Sequence, residues 1–191
     1  MRLLKTLAAA LAGILVTASL IAATLTAQIN TAIIANYQGS NDLGAPVFNL
    51  SQGLQAPIAL SSGTGSGAAD LLFADTRTLA ASATENLDMA GSLADPFGTT
   101  LTFVTVKVVK VCAASANTNN VVVGGAGSNT LLGIFSDASD KIVVKPGGCF
   151  VWVAPGTGAA VTASTGDILL MANSSSGTSV TYSIWIVGTS A

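Results

Sequence analysis

Val180-Thr181-Tyr182-Ser183-Ile184-Trp185-Ile186-Val187 places Val180, Tyr182, Ile184 and Ile186 on one side of an extended chain and Thr181, Ser183, Trp185 and Val187 on the other. Successive strand residues point to opposite faces, so the stretch predicts a strand with one face in a core. The second face begins polar and ends apolar, as expected where something covers one end of it. Working back from this strand, similar signals recur at Leu101–Cys112, Asn120–Val123, Thr130–Phe135, Lys141–Lys145, Cys149–Ala154, Ala160–Ala163 and Ile168–Ala172. Turn chemistry separates them: Asn117-Thr118-Asn119, Gly124-Gly125, Asp137–Asp140, Pro146-Gly147-Gly148, Pro155-Gly156 and Asn173–Gly177. Thr76–Leu79 and Thr84–Asp88 read as a further hairpin. Many short strands with no strong helical period predict an all-β, jelly-roll-like β-sandwich over residues 70–191.

Composition narrows the chemistry. The chain of 191 residues is 50% apolar and 8% charged, with net charge −2 and no histidine. A Ser-His-Asp or Cys-His centre therefore cannot form, nor can a zinc site that uses histidine. Two cysteines cannot hold a four-cysteine metal site. Seven basic residues leave no footprint for nucleic acid, which demands many phosphate contacts. Such a chain suits packing better than catalysis, and the expectation is a non-enzymatic protein without cofactor or metal.

Two segments precede the domain. Arg2 and Lys5 lead into an uncharged run, Leu7 to Ala27. This run fits a cleaved export signal, a membrane helix through residues 7–27, or a helix buried in protein. Leu25, Ile29, Ala32 and Ile33 continue a helical stripe, predicting an apolar helix over 1–38 that stops near Gly39. Residues 39–69, with Pro46, Pro57 and the run Ser61–Gly67, read as an extended arm or linker.

Few residues could carry a site. Asp75 and Arg77, two apart on a predicted strand, share a face; an ion pair at a sheet edge or subunit contact explains them better than catalysis. Asp137-Ala138-Ser139-Asp140 lacks the Gly and distal Glu of a calcium loop and reads as a solvated turn. Trp152 and Trp185 read as core or interface residues, and only an exposed pair would suggest a sugar platform. Lys107 and Lys110 differ by an odd number, which calls for a bulge or for a strand with one side at an interface. Cys112 and Cys149 read as buried free thiols in a reducing cytoplasm and as a disulfide in an exported chain.

The segments Asp70–Leu79, Glu85–Leu93, Asp95-Pro96-Phe97-Gly98, Asn117–Val121, Lys145–Gly148 and Ala172–Tyr182 together resemble a family of tailed-phage virion proteins, of the capsid decoration or cement kind, over roughly Ala23 to Ala191. Met1–Ala22 has no counterpart in that pattern. The resemblance implies a homo-oligomer, a trimer by analogy with cement proteins, that assembles in the host cytoplasm and binds the phage major capsid protein on the outer capsid surface. It also implies that residues 1–22 are an added virion-buried helix. Leu25, Ile29, Ile33, Asp75, Arg77 and Trp185 are the candidate interface residues. The alternatives are a surface or adhesive β protein exported through an N-terminal signal, and a phage tail or receptor-binding component.

Overall fold

The computed structural model describes residues 24–30, 32–38, 47–53 and 57–191. Its strands are β1 (Ala27–Ile29), β2 (Ala32–Gln38), β3 (Val47–Gly53), β4 (Ile58–Ser62), β5 (Ala68–Ala69), β6 (Leu71–Leu79), β7 (Thr84–Asp88) and β8 (Leu93–Ala94). They continue as β9 (Thr100–Leu101), β10 (Thr105–Ala113), β11 (Val121–Gly124), β12 (Lys141–Val144), β13 (Cys149–Val153), β14 (Ala159–Ala160), β15 (Ile168–Asn173) and β16 (Val180–Thr189). The all-β expectation holds for the described residues.

Two sheets enclose the main core. One runs β13-β10-β16-β6, with β14 also on β10, and the other runs β12-β11-β15-β7. Val109, Val111, Ile184, Ile186 and Phe73 from the first meet Val121, Val123, Leu169, Met171 and Leu87 from the second. Burying a side chain of this size contributes about 1.5–3 kcal/mol, so this layer dominates stability. The expected hairpin of Thr76–Leu79 with Thr84–Asp88 does not form: β6 and β7 lie in different sheets. Ala80–Ala83 carries the chain from one sheet to the other, and Asn173 fastens this crossing by donating to the Ala80 carbonyl (3.0 Å).

Three other readings shift. The long strand expected at Leu101–Cys112 is divided between β9 and β10; between them Phe103 is buried and its amide donates to the Met89 carbonyl (2.8 Å). Of Thr130–Phe135, only Thr130 makes a bridge, to Ile168. Leu131 is buried while Leu132 turns outward, and the Phe135 amide closes a turn on the Leu132 carbonyl (3.0 Å). Of Ala160–Ala163, Ala160 ends the two-residue β14 and Thr162 makes an isolated bridge to Gly166.

The odd spacing of the lysines does mark a bulge. Val106 pairs with Gly188 but Val108 pairs with Val187, leaving Lys107 as the extra residue. Lys107 is buried, and its ammonium group donates to the Gly156 carbonyl. Gly188 permits this crossing, because a Cβ there would sit 2.2 Å from the Thr105 carbonyl oxygen. Gly188→Ala should therefore cost about 1–3 kcal/mol through overpacking, read as a lower urea midpoint with unchanged slope. A midpoint equal to wild type would mean that the bulge yields freely.

The helix expected to continue to residue 38 is replaced by strands wherever the chain is described. Thr24, Thr26, Gln28 and Asn30 are exposed while Leu25, Ala27 and Ile29 are half-buried. This is a period of two, and the i, i+4 stripe was a coincidence of that alternation. Met1–Ala23, where the rest of the helix was expected, lies outside the described residues. β1 pairs with β4 and β2 with β3, both antiparallel. Because β2 follows β1 and β4 follows β3, the two pairs nest as base and tip of one ribbon. β5 joins β4 in parallel.

Candidate assembly interface

The outward face of the sheet β13-β10-β16-β6 is divided into rows by the strand register. One row holds Val153, Val108, Val187 and Leu72; the next holds Val151, Lys110, Trp185 and Ala74; a third holds Cys149, Cys112, Ser183 and Thr76. The ribbon base covers the first row. Leu60 is buried with Val108 and Val187, and Leu25, Ala27, Ile29, Leu72 and Val153 pack around them. This cover explains why the second face of β16 ends apolar.

Beyond the ribbon base the face is open. Trp185 is 37% exposed and Val151 41%. The Lys110 ammonium lies 5.1 Å from the Trp185 ring centroid, a cation–π contact worth about 0.5–1 kcal/mol at an exposed site. Farther along, Thr76 and Ser183 share a hydrogen bond (3.0 Å), as do Thr78 and Thr181 (2.9 Å). Each pair uses one hydroxyl hydrogen and leaves the other for solvent or a partner. Trp152 packs toward the main core instead, so the two tryptophans sit on opposite faces of the sheet and form no joint platform.

Cys112 and Cys149 are register partners on β10 and β13, and they form a disulfide with Cα atoms 4.1 Å apart. This corrects the free-thiol reading. Sequence could not show that β10 and β13 are neighbours, and the pair lies on the outward face rather than in the core.

Asp75 and Arg77 are at the edge of the same sheet, on its core side. Arg77 donates from Nη1 to Glu85 Oε2 (2.7 Å), bridging β6 to β7 in the opposite sheet. Its Nε lies 3.0 Å from Asp75 Oδ2, an ion-pair contact without good hydrogen-bond alignment. The guanidinium also lies 5.6 Å from the Phe73 ring centroid. Tyr182, buried, donates its hydroxyl to Glu85 Oε1 (2.5 Å). Burial works against the Arg77 charge, but Glu85 and then Asp75 outweigh it and raise its pKa. Burial raises the Tyr182 phenol strongly, and the Glu85 hydrogen bond and charge add to this. The cluster closes the mouth between the sheets, which is the sheet-edge ion-pair reading; Tyr182 was the member that sequence did not single out.

A raised phenol pKa means stability fully present below its ordinary value near 10 and lost as pH rises above that. Tyr182→Phe should cost about 1–2 kcal/mol near neutrality, because Glu85 loses a donor, and should flatten the alkaline fall in urea midpoint. An identical alkaline fall in both proteins would assign it to other groups.

The remaining candidates resolve locally. Asp140 Oδ2 accepts from the amides of Ser136 (3.1 Å) and Asp137 (2.8 Å). Asp137 Oδ1 accepts from the amide and hydroxyl of Ser139, bonds that lower its pKa. The segment is a solvated turn. Asn117 pairs through both amide atoms with the Thr181 backbone (2.8 and 2.9 Å), fastening its turn to β16. Leu25 and Ile29 belong to the ribbon base; Ile33 is in β2, opposite Gln52. Leu25 also lines a cavity of about 190 Å³ with Leu71, Leu72, Pro96, Phe97 and Leu101. Among the described residues no three or more His, Cys, Asp or Glu side chains gather to hold a metal, and no helix is long and apolar enough to cross a membrane. No family model, curated protein or solved structure matches this chain.

Proposed function

We propose that this chain is a non-enzymatic structural protein of a phage virion, oligomeric and bound to the outer capsid lattice as a decoration or cement protein. The observation that carries this reading is the ribbon: its base is anchored on the sheet, while its tip, β2 with β3, pairs only with itself among the described residues. An isolated two-stranded hairpin is marginal in water, so a tip of this kind gains stability from a neighbour. The uncharged β surface serves the same end, because contact with many copies then strips few ions of water. The capsid and the trimer come from the resemblance of the phage-like segments.

We also infer a jelly roll. Numbering β6, β7, β10, β11, β12, β13, β15 and β16 as strands one to eight, the sheets read 6-3-8-1 and 5-4-7-2. That order winds both sheets together as two Greek keys do, an architecture that viral capsid domains use. The test is to mix the purified chain with shells assembled from the major capsid protein of the phage whose genome carries it. Saturable decoration seen by electron microscopy supports the reading, and bare shells overturn it.

One observation favours the exported surface protein instead: the Cys112–Cys149 disulfide, since such bonds persist in oxidising surroundings, although virion surfaces are among these. Mass spectrometry of the mature N-terminus separates the two. A start between residues 19 and 28 supports export, and an intact N-terminal region supports the virion protein.

A further inference from the structure

We infer that the apolar cavity beside the turn between β8 and β9 receives one lysine side chain of a partner protein, with its alkyl stem against the leucines and Phe97 and its ammonium group at Asp95. For the partner's identity, the capsid lattice, the contact rests on the reading above; for its chemistry it rests on the cavity.

The turn is held in shape before anything binds. Asp95 Oδ1 accepts from the amides of Phe97 and Thr99 (both 2.8 Å). The Asp95 amide donates to the Thr99 carbonyl (2.8 Å), and the Gly98 amide donates to the Asp95 carbonyl (3.0 Å). Gly98 takes the left-handed conformation, φ 88°, that closes the turn. Phe97 stands at its end, 87% exposed, the most exposed large apolar side chain among the described residues. A backbone fixed in this way keeps the ring beside the cavity in advance, so binding has little left to order.

Volume limits the occupant to one side chain. The cavity measures about 190 Å³. Pockets for drug-sized molecules begin at about 300 Å³, whereas a cavity of about 150 Å³ takes a single benzene ring. Leu25, Leu71, Leu72, Pro96 and Leu101 give it apolar walls, and Phe97 completes them. A lysine stem buries along such walls while its charged head stays at the mouth.

Charge selects the head. Asp70 and Asp95 are the charged residues among those lining the cavity, and no basic residue stands with them. A cation is therefore attracted and an acidic group repelled. Asp70 uses both oxygens on Ser190, whose amide and hydroxyl donate to it (2.9 and 2.6 Å). At Asp95, Oδ1 holds the turn, and among the described residues nothing donates to Oδ2. One open oxygen suits the compact ammonium of lysine; the planar fork of arginine is matched by two. The exposed Phe97 face adds a cation–π contact.

The test titrates the full chain with butylammonium, which is the lysine side chain without its backbone, and follows amide and methyl NMR signals. Binding with a Kd on the order of millimolar is expected, with shifts centred on Leu71, Phe97 and Leu101. Asp95→Asn keeps an Oδ1 for the two amides and should weaken binding roughly fivefold, as should exchanging the probe for uncharged 1-butanol. Phe97→Ala, at an exposed site that spares the core, is a second variant expected to weaken it. No shift at the cavity, or equal affinity for butanol together with an unaffected Asp95→Asn, overturns the lysine site. On decorated shells, carbodiimide should link Asp95 directly to a lysine of the capsid protein. A link to a lysine of this chain instead, or decorated shells without any link from Asp95, overturns the capsid lysine as occupant while leaving attachment standing. Shells that stay bare overturn the capsid reading, and the lysine site then stands or falls on the titration.

Discussion

Replacing residues 30–57 by an Asn-Gly turn should leave a folded domain that no longer attaches to capsid shells. Ile29 and Ile58 are register partners at the end of the ribbon base, and Asn-Gly is the favoured two-residue closure for such a pair. The variant keeps Leu25, Ala27, Ile29 and Leu60, so Val108 and Val187 remain covered. No described residue of the tip belongs to either core. Its urea midpoint should therefore stay within about 0.5 kcal/mol of wild type, the range of a surface change. Attachment is different, because a tip that engages a neighbour makes the second contact intramolecular. Losing that linkage should weaken shell binding by roughly 10²–10⁴-fold, read by co-sedimentation. Undiminished binding would remove the tip from the mechanism, whereas a variant that unfolds would show the tip to be part of the core. A cruder deletion of residues 1–60 would confound the two, since it strips Leu60 from Val108 and Val187 and bares an apolar row.

How far the sequence could be read depends on the range of the signal. β16 was legible because Val180, Tyr182, Ile184 and Ile186 report their shared burial through strict alternation. The bulge was legible because a parity violation between Lys107 and Lys110 is local. Pairing was not legible. Nothing within β6 or β7 says that they belong to different sheets, and that choice hid the Arg77–Glu85–Tyr182 cluster until the strands were placed. The same holds for Cys112 and Cys149, whose adjacency follows from the order β13-β10-β16. The ribbon misled for another reason. Leu25, Ile29 and Ile33 satisfy both a four-residue and a two-residue period, and Ala-rich neighbours tilted the choice to helix. Thr24 and Thr26, β-branched and alternating with Leu25 and Ala27, were the signal that could have reversed it.

Removing the disulfide should be the most damaging single change to stability. Cys112 and Cys149 close a loop with sequence separation 37, for which the chain-entropy estimate is about 4 kcal/mol. The bond also holds an edge strand. Among the described residues β13 has β10 as its only strand partner, and its core side carries Phe150 and Trp152. At the far end, the Ala154 amide donates to the carbonyl of the bulged Lys107 (2.9 Å), so the disulfide is the covalent tie at the other end. Both cysteines lie on the outward face, which keeps the cavity cost of alanine small and leaves the lost tether as the main term. Cys112→Ala/Cys149→Ala should therefore lower unfolding free energy by about 4 kcal/mol, and a reductant should bring wild type to the same value while leaving the variant unmoved. A wild-type midpoint indifferent to reductant would mean that the sulfurs are not bonded in solution. The compartment then enters the function. A chain made in a reducing cytoplasm lacks this stabilisation until it meets an oxidising exterior, so a capsid-bound protein would tighten only after release of the particle, while an exported one would be locked as it folds. Reading the oxidation state on particles taken before and after lysis separates these histories.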